Sequence, residues 1–132
     1  DPEINKGEGS SIGLEYQSLD DERHPDAKLC NNDGSRTLGS LYDLIKAENK
    51  VVNPIGEWNV AYIKSKEGHV EHWLNGVKIL EYDRGTHEYR KLVEESKYKV
   101  WENFGELEEG HILLQDHGNT VSFRNIKVHT LD

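Results

Sequence analysis

An antiparallel β-sandwich is the architecture this 132-residue sequence predicts. Three observations point there. Stretches of two-residue alternation recur, an Asn75-Gly76 pair stands between two β-rich runs, and Gly110 to His129 reads as strand, polar turn, strand. Several short strands joined by long loops, with no internal repeat, form the pattern of a sandwich.

The elements follow in chain order. Asp1 to Ser10 is polar and punctuated by glycine, and it leads straight into a strand. It reads as a loop between elements, so the chain is expected to be part of a longer domain. From Ser11 to Leu19, Ile12, Leu14 and Tyr16 fall on one face, and Gly13, Glu15 and Gln17 on the other, as in a half-buried strand. A charged loop follows from Asp20 to Gly34. Thr37 to Ile45 is ambiguous between a short strand and a helical turn. A loop carrying Pro54 leads to a second alternating run, Trp58 to Lys64.

His69 to Tyr82 holds the strongest local signal. A type I′ turn needs φ > 0 at both central residues, and Asn75-Gly76 supplies that pair. Counting outward from the turn sets Leu74 opposite Val77, Trp73 opposite Lys78, His72 opposite Ile79, Glu71 opposite Leu80 and Val70 opposite Glu81. Beyond it, Tyr89, Leu92, Val93 and Ser96 have helical spacing with Thr86 as a cap, which predicts a short helical insertion near 86–97. Trp101 and Phe104 lie in the loop after it. The last predicted hairpin spans 110–129.

Composition narrows the function. The formal charge of −9 disfavours nucleic acid and anionic membranes, because a polyanion would be repelled. No apolar stretch approaches the roughly 18 residues of a membrane span. The single cysteine, Cys30, permits no intrachain disulfide and has no sequence partner that would make it a nucleophile. No phosphate-cradling loop, Ser-His-Asp order or cysteine metal cluster is present.

Five segments carry a family resemblance: Gly13-Leu14-Glu15-Tyr16-Gln17-Ser18-Leu19-Asp20-Asp21, Gly39-Ser40-Leu41-Tyr42-Asp43-Leu44, Gly56-Glu57-Trp58-Asn59, His72-Trp73-Leu74-Asn75-Gly76-Val77-Lys78, and Leu114-Gln115-Asp116-His117-Gly118 with Phe123-Arg124-Asn125-Ile126. In this order they resemble the 3-keto-disaccharide hydrolase domain family, from Ser11 to Val128. The resemblance implies an all-β, concanavalin A-like jelly roll of two antiparallel sheets, with strands preceding this chain's first residue. A single domain over 1–132, lacking its N-terminal strands, is therefore expected, with a second chain as one source of the missing strands. It also implies a bacterial, Bacteroidetes-type protein that is periplasmic, secreted or at the cell surface. Its implied substrate is a carbohydrate, a glycoside oxidised to a ketone at C3.

That chemistry sets the residue types to look for. A C3 ketone acidifies the C2 proton, so a base can form an enolate, the C1 substituent leaves, and water adds back. The site needs a base titrating near working pH, a donor or cation for the enolate oxygen, and an acid for the leaving oxygen. Glu15, His72, Asp116 and His117 are the candidate catalytic residues. Gln17, Tyr42, Trp73, Gln115 and Arg124 are the candidate substrate-binding residues.

Each has a structural alternative. Glu15 and Gln17 read as a solvated outer face or as the concave sheet. His72 reads equally as a core histidine, Trp73 as packing under a loop, Asp116 as a turn cap, and Arg124 as the ion-pair partner of Asp116. Asp20, Asp21 and His24 share a loop and offer metal-ligand chemistry, but a solvated charge run explains them better. No metal is assigned, although the chemistry admits a divalent cation. His69, His87, His111 and His129 form no constellation. A non-catalytic lectin-like module on the same sandwich is the competing function.

Overall fold

The computed structural model describes residues 12–29 and 34–131. Cys30 and the polar stretch before Ser11 lie outside them. The order is a 3₁₀ turn (Pro25–Lys28), β1 (Ala61–Lys66), β2 (His69–Leu74), β3 (Val77–Asp83), α1 (His87–Glu95) and a second 3₁₀ turn (Lys97–Val100). The strands form one three-stranded antiparallel meander, β1-β2-β3. The described residues thus form a small β-rich fold with one helix.

The β2–β3 turn forms as its sequence demands: Asn75 and Gly76 both take positive φ, 49° and 82°. Leu74 opposes Val77 and Trp73 opposes Lys78, as counted from the turn. Beyond those pairs the register departs from expectation. A bulge between His72 and Trp73 inserts Ile79, so His72 opposes Leu80, Glu71 opposes Glu81, Val70 opposes Tyr82 and His69 opposes Asp83. Packing explains the insertion. Ile79 and Leu80 are adjacent in sequence yet both buried, which strict alternation forbids and a bulge allows. Ile79 is also fixed from outside the hairpin, through its carbonyl accepting from Glu48 N–H at 2.9 Å.

Val70, Leu74, Ile79, Leu80 and Tyr82 face a core completed by Leu41, Leu44, Tyr89 and Val93. Helix α1 contributes Tyr89 and Val93 from its apolar stripe, with Thr86 Oγ1 accepting from Tyr89 N–H at its start. Stacked pairs Tyr82–Tyr89 and Tyr98–Phe104 extend the core toward the second 3₁₀ turn. The segment expected as the first strand makes only a short pairing. Gln17 N–H donates to Ser40 O, Gly39 N–H to Gln17 O, and Tyr42 N–H to Glu15 O.

The expected hairpin over 110–129 does not form. Among the described residues no strand lies beyond Asp83, and 107–131 is exposed throughout. Only its turn survives: Asp116 Oδ1 accepts from Gly118 N–H at 2.9 Å, with Gly118 at φ 84°. An isolated two-stranded ribbon is marginal in water unless one face is packed, and among the described residues Ile112, Leu114, Val121 and Phe123 join no core and stay exposed. β1 is similarly bare. Tyr62 and Ile63, on its opposite faces, are each 52% exposed.

Candidate functional site

The pairing of residues 15–17 with 39–42 brings Glu15 beside a knot of charged and phenolic groups. Arg36 bridges two buried carboxylates, with Nε 2.9 Å from Asp43 Oδ1 and Nη1 3.3 Å from Asp26 Oδ1. Tyr42 Oη donates to Asp26 Oδ2 at 3.1 Å, and Lys97 N–H donates to Asp43 Oδ2 at 2.9 Å. Buried charges persist only when paired and hydrogen-bonded, and each of these carboxylates is satisfied from two directions. Asp43 takes a left-handed backbone, φ 62°. The Lys97 ammonium lies 4.1 Å from the Tyr42 ring centre and 5.0 Å from that of Tyr98.

The electrostatics of this knot suit proton transfer. Burial raises the Glu15 pKa above 4.5; Asp26 adds to the rise, while Lys97 and His117 oppose it. Burial and the neighbouring Arg36 lower that of Lys97, against the pull of Glu15, Asp43 and Asp26. A carboxyl pushed up and an amine pushed down in one place are poised for acid–base work. Burial raises Tyr42 to about 12, so it remains a neutral donor.

His72 occupies a different place. It is 2% exposed and lines a shallow hollow of about 150 Å³ with Leu14, Tyr16, Ile63, Val70 and Arg84. Its Nδ1 lies 2.9 Å from Gly39 O, which can only accept, so Nδ1 carries the proton. Burial depresses its pKa and the Gly39 carbonyl opposes that shift, leaving the ring neutral. The Gly39 backbone approaches closely because it has no side chain. A Cβ there would meet Ile79 Cδ1 at 2.3 Å. The hollow is smaller than the roughly 300 Å³ at which ligand pockets begin.

The remaining candidates divide. His117 joins the Glu15 group, with its ring edge-on to His24 at 5.0 Å. Tyr42 is buried beneath Lys97 rather than open for stacking. Gln17 is buried near His72's carbonyl partner, with its Nε2 unsatisfied among the described residues. Asp116 caps its own turn. Arg124 lies over the Trp58 ring at 3.9 Å and makes no ion pair with Asp116 among the described residues. Trp73 projects from the outer face and donates to Glu71 Oε2 at 2.8 Å. Gln115 is exposed.

The loop with metal-ligand chemistry is spent on structure. Asp20 Oδ1 caps Glu22 and Arg23, Asp21 binds Leu38 N–H and Lys50, and His24 Nδ1 accepts from Asp26 N–H. Asp26, Arg36, Asp43, Lys97 and Tyr98 were not singled out by sequence. The adjacent aromatic–charge pairs Tyr42-Asp43 and Lys97-Tyr98 are the only local trace of their association.

A β-rich domain carrying a half-buried carboxyl and an exposed lysine beside a buried phenol defines a class suited to proton-transfer chemistry. The chain belongs to the 3-keto-alpha-glucoside-1,2-lyase-like domain family, whose sequence profile matches residues 3–129. It is 43% identical over 128 residues to a 3-keto-disaccharide hydrolase of Bacteroides thetaiotaomicron, covering 89% of this chain and 44% of that protein. It also resembles a solved candidate glycosyl hydrolase from Parabacteroides distasonis, at 32% identity and a TM-score of 0.60. That match covers 71% of this chain and 45% of the other. The chain thus spans less than half the length of the curated relative it matches.

Proposed function

We propose that this chain acts on glycosides oxidised to a ketone at C3, cleaving them by elimination and rehydration. The observation that carries the reading is Glu15, a carboxylate with a raised pKa set beside the cationic Lys97. In the proposed sequence Glu15 takes the C2 proton, and the electron pair moves onto the C3 oxygen as an enolate. The Lys97 ammonium stabilises that oxygen. The enolate then expels the C1 substituent, whose oxygen receives a proton from His117. Water adds across the resulting C1–C2 double bond to complete hydrolysis.

His72, neutral and holding one proton on Nδ1, is the alternative base. Gln17, Gln115, Trp73 and Arg124 are the proposed sugar contacts. Similarity to a protein named a 3-keto-disaccharide hydrolase supports the substrate class. The family resemblance implies a larger concanavalin A-like jelly roll, in which strands from a second chain would cover Ile63, Ile112 and Leu114. A periplasmic or surface location belongs to the same reading.

The test is aglycone release from a chromogenic 3-keto-α-glucoside, with the unoxidised glucoside as control. Release is expected only from the keto form, and Glu15→Gln should slow it roughly 10²- to 10⁴-fold. The rate should rise with pH through the elevated Glu15 pKa, because only the ionised carboxylate accepts the proton. Binding without release would favour the lectin-like module. Full activity in Glu15→Gln with loss in His72→Ala would move the base to His72.

A further inference from the structure

His69 had no constellation in the sequence; the β3 bulge gives it one. Counted from the turn without the bulge, Glu81 would oppose Val70, whereas the inserted Ile79 sets it opposite Glu71 and sets Asp83 opposite His69. Two carboxylates directly opposed on a sheet repel one another, and this hairpin holds such a pair. From the same face, His69 Nε2 stands 3.7 Å from Glu71 Oε1 and 3.6 Å from Glu81 Oε2. All three ligand atoms lie within 4.8 Å of one another.

We propose that the outer face of the β2–β3 hairpin binds a first-row transition dication of the zinc class, through His69 Nε2, Glu71 Oε1 and Glu81 Oε2. Ligands about 2.1 Å from a tetrahedral ion are about 3.4 Å from each other, close to the two spacings from His69. A second layer of contacts orients them, independently of the ligand distances. Asp83 Oδ1 lies 2.7 Å from His69 Nδ1. A carboxylate only accepts, so Nδ1 carries a hydrogen and Nε2 is the ring atom turned toward the two glutamates. This is the carboxylate–histidine arrangement that backs metal-bound imidazoles. Trp73 Nε1–H holds Glu71 Oε2 at 2.8 Å, leaving Oε1 as the ligand atom.

Ammonium groups now offset the charge: Lys78 Nζ is 2.6 Å from Glu81 Oε2, and Lys64 Nζ is 3.5 Å from Glu71 Oε1. Both are flexible, solvent-reaching side chains that a dication can displace. One imidazole with two carboxylates suits zinc, cobalt or nickel, whereas calcium and magnesium favour all-oxygen shells of six or more ligands. The site stands on hairpin geometry alone and does not depend on the reaction proposed above.

Calorimetric titration of the chelator-stripped chain with zinc chloride tests it, with magnesium and calcium chloride as comparisons. One saturable zinc site is expected, lost in His69→Ala and in Glu81→Gln. Asp83→Asn should weaken it about ten- to a hundredfold. Nickel should quench tryptophan fluorescence in the parent and much less in Trp73→Phe. Circular dichroism verifies that each variant stays folded. No saturable zinc uptake, uptake matched by magnesium, or equal affinity in folded His69→Ala would overturn the proposal, the last by placing the ion elsewhere.

Discussion

The β2–β3 hairpin and the segment 110–131 both read as strand, turn, strand, yet only the first forms a ladder. Each has a turn with residues at positive φ, and each has apolar residues spaced to line one face. They differ in what lies beneath. Val70, Leu74, Ile79 and Leu80 rest on Leu41, Leu44 and α1, while Ile112, Leu113, Leu114 and Phe123 join no core among the described residues and stay exposed. Alternation states that a segment can be half-buried; burial itself has to come from another layer. Conformational cost without burial leaves a ribbon unpaired.

The largest expected effect that sharpens this contrast is at Leu74, which is 1% exposed. Leu74→Ala should lower the unfolding free energy by about 2–5 kcal/mol in urea melts. A loss below 1 kcal/mol would mean that the hairpin is no better anchored than the exposed segment. Next comes the turn. Nothing lies within 4 Å of a Cβ built on Gly76, so Gly76→Ala tests backbone conformation alone and should cost roughly 1–2 kcal/mol. The same change at Gly118, also at positive φ, should leave the melt in place because no ladder depends on it.

A pH series separates the regions further. His72 is buried with a depressed pKa, so its contribution to stability is full above its unfolded value of 6.5 and is lost as pH falls through the lower folded value. Urea melts at pH 7.5 and 5.5 should show that loss, and His72→Asn should flatten it. A slope unchanged by His72→Asn would place the acid sensitivity elsewhere. The smallest effect is expected at Leu113, where Leu113→Ala should change stability by no more than about 0.5 kcal/mol. Amide exchange gives the same contrast without mutation: protection across β2 and β3, and fast exchange from 110 to 131. Protection appearing in 110–131 on adding a partner chain would supply the absent layer directly.

The candidate site was legible unevenly, for a related reason. Glu15, Tyr42 and His117 carry side chains whose chemistry advertises itself, and all three meet in one group. Lys97 and Arg36 read as ordinary surface cations because nothing adjacent in sequence shows that Asp26 and Asp43 will be buried beside them. His72 stayed ambiguous until Gly39 was seen to accept its Nδ1 proton from 33 positions away.

By itself the sequence determined the features that need only neighbours. These are the Asn75-Gly76 turn, the strand pairs next to it, and the helix that begins after Thr86 with Tyr89 and Val93 on its inward side. Tertiary structure alone decided the slip at Ile79, because its burial and the bond from Glu48 come from chain remote in sequence. That one-residue slip turned Glu81 and Asp83 to the outer face beside His69. Local rules fix backbone shape at short range. Which side chains meet depends on the layer that arrives to cover them.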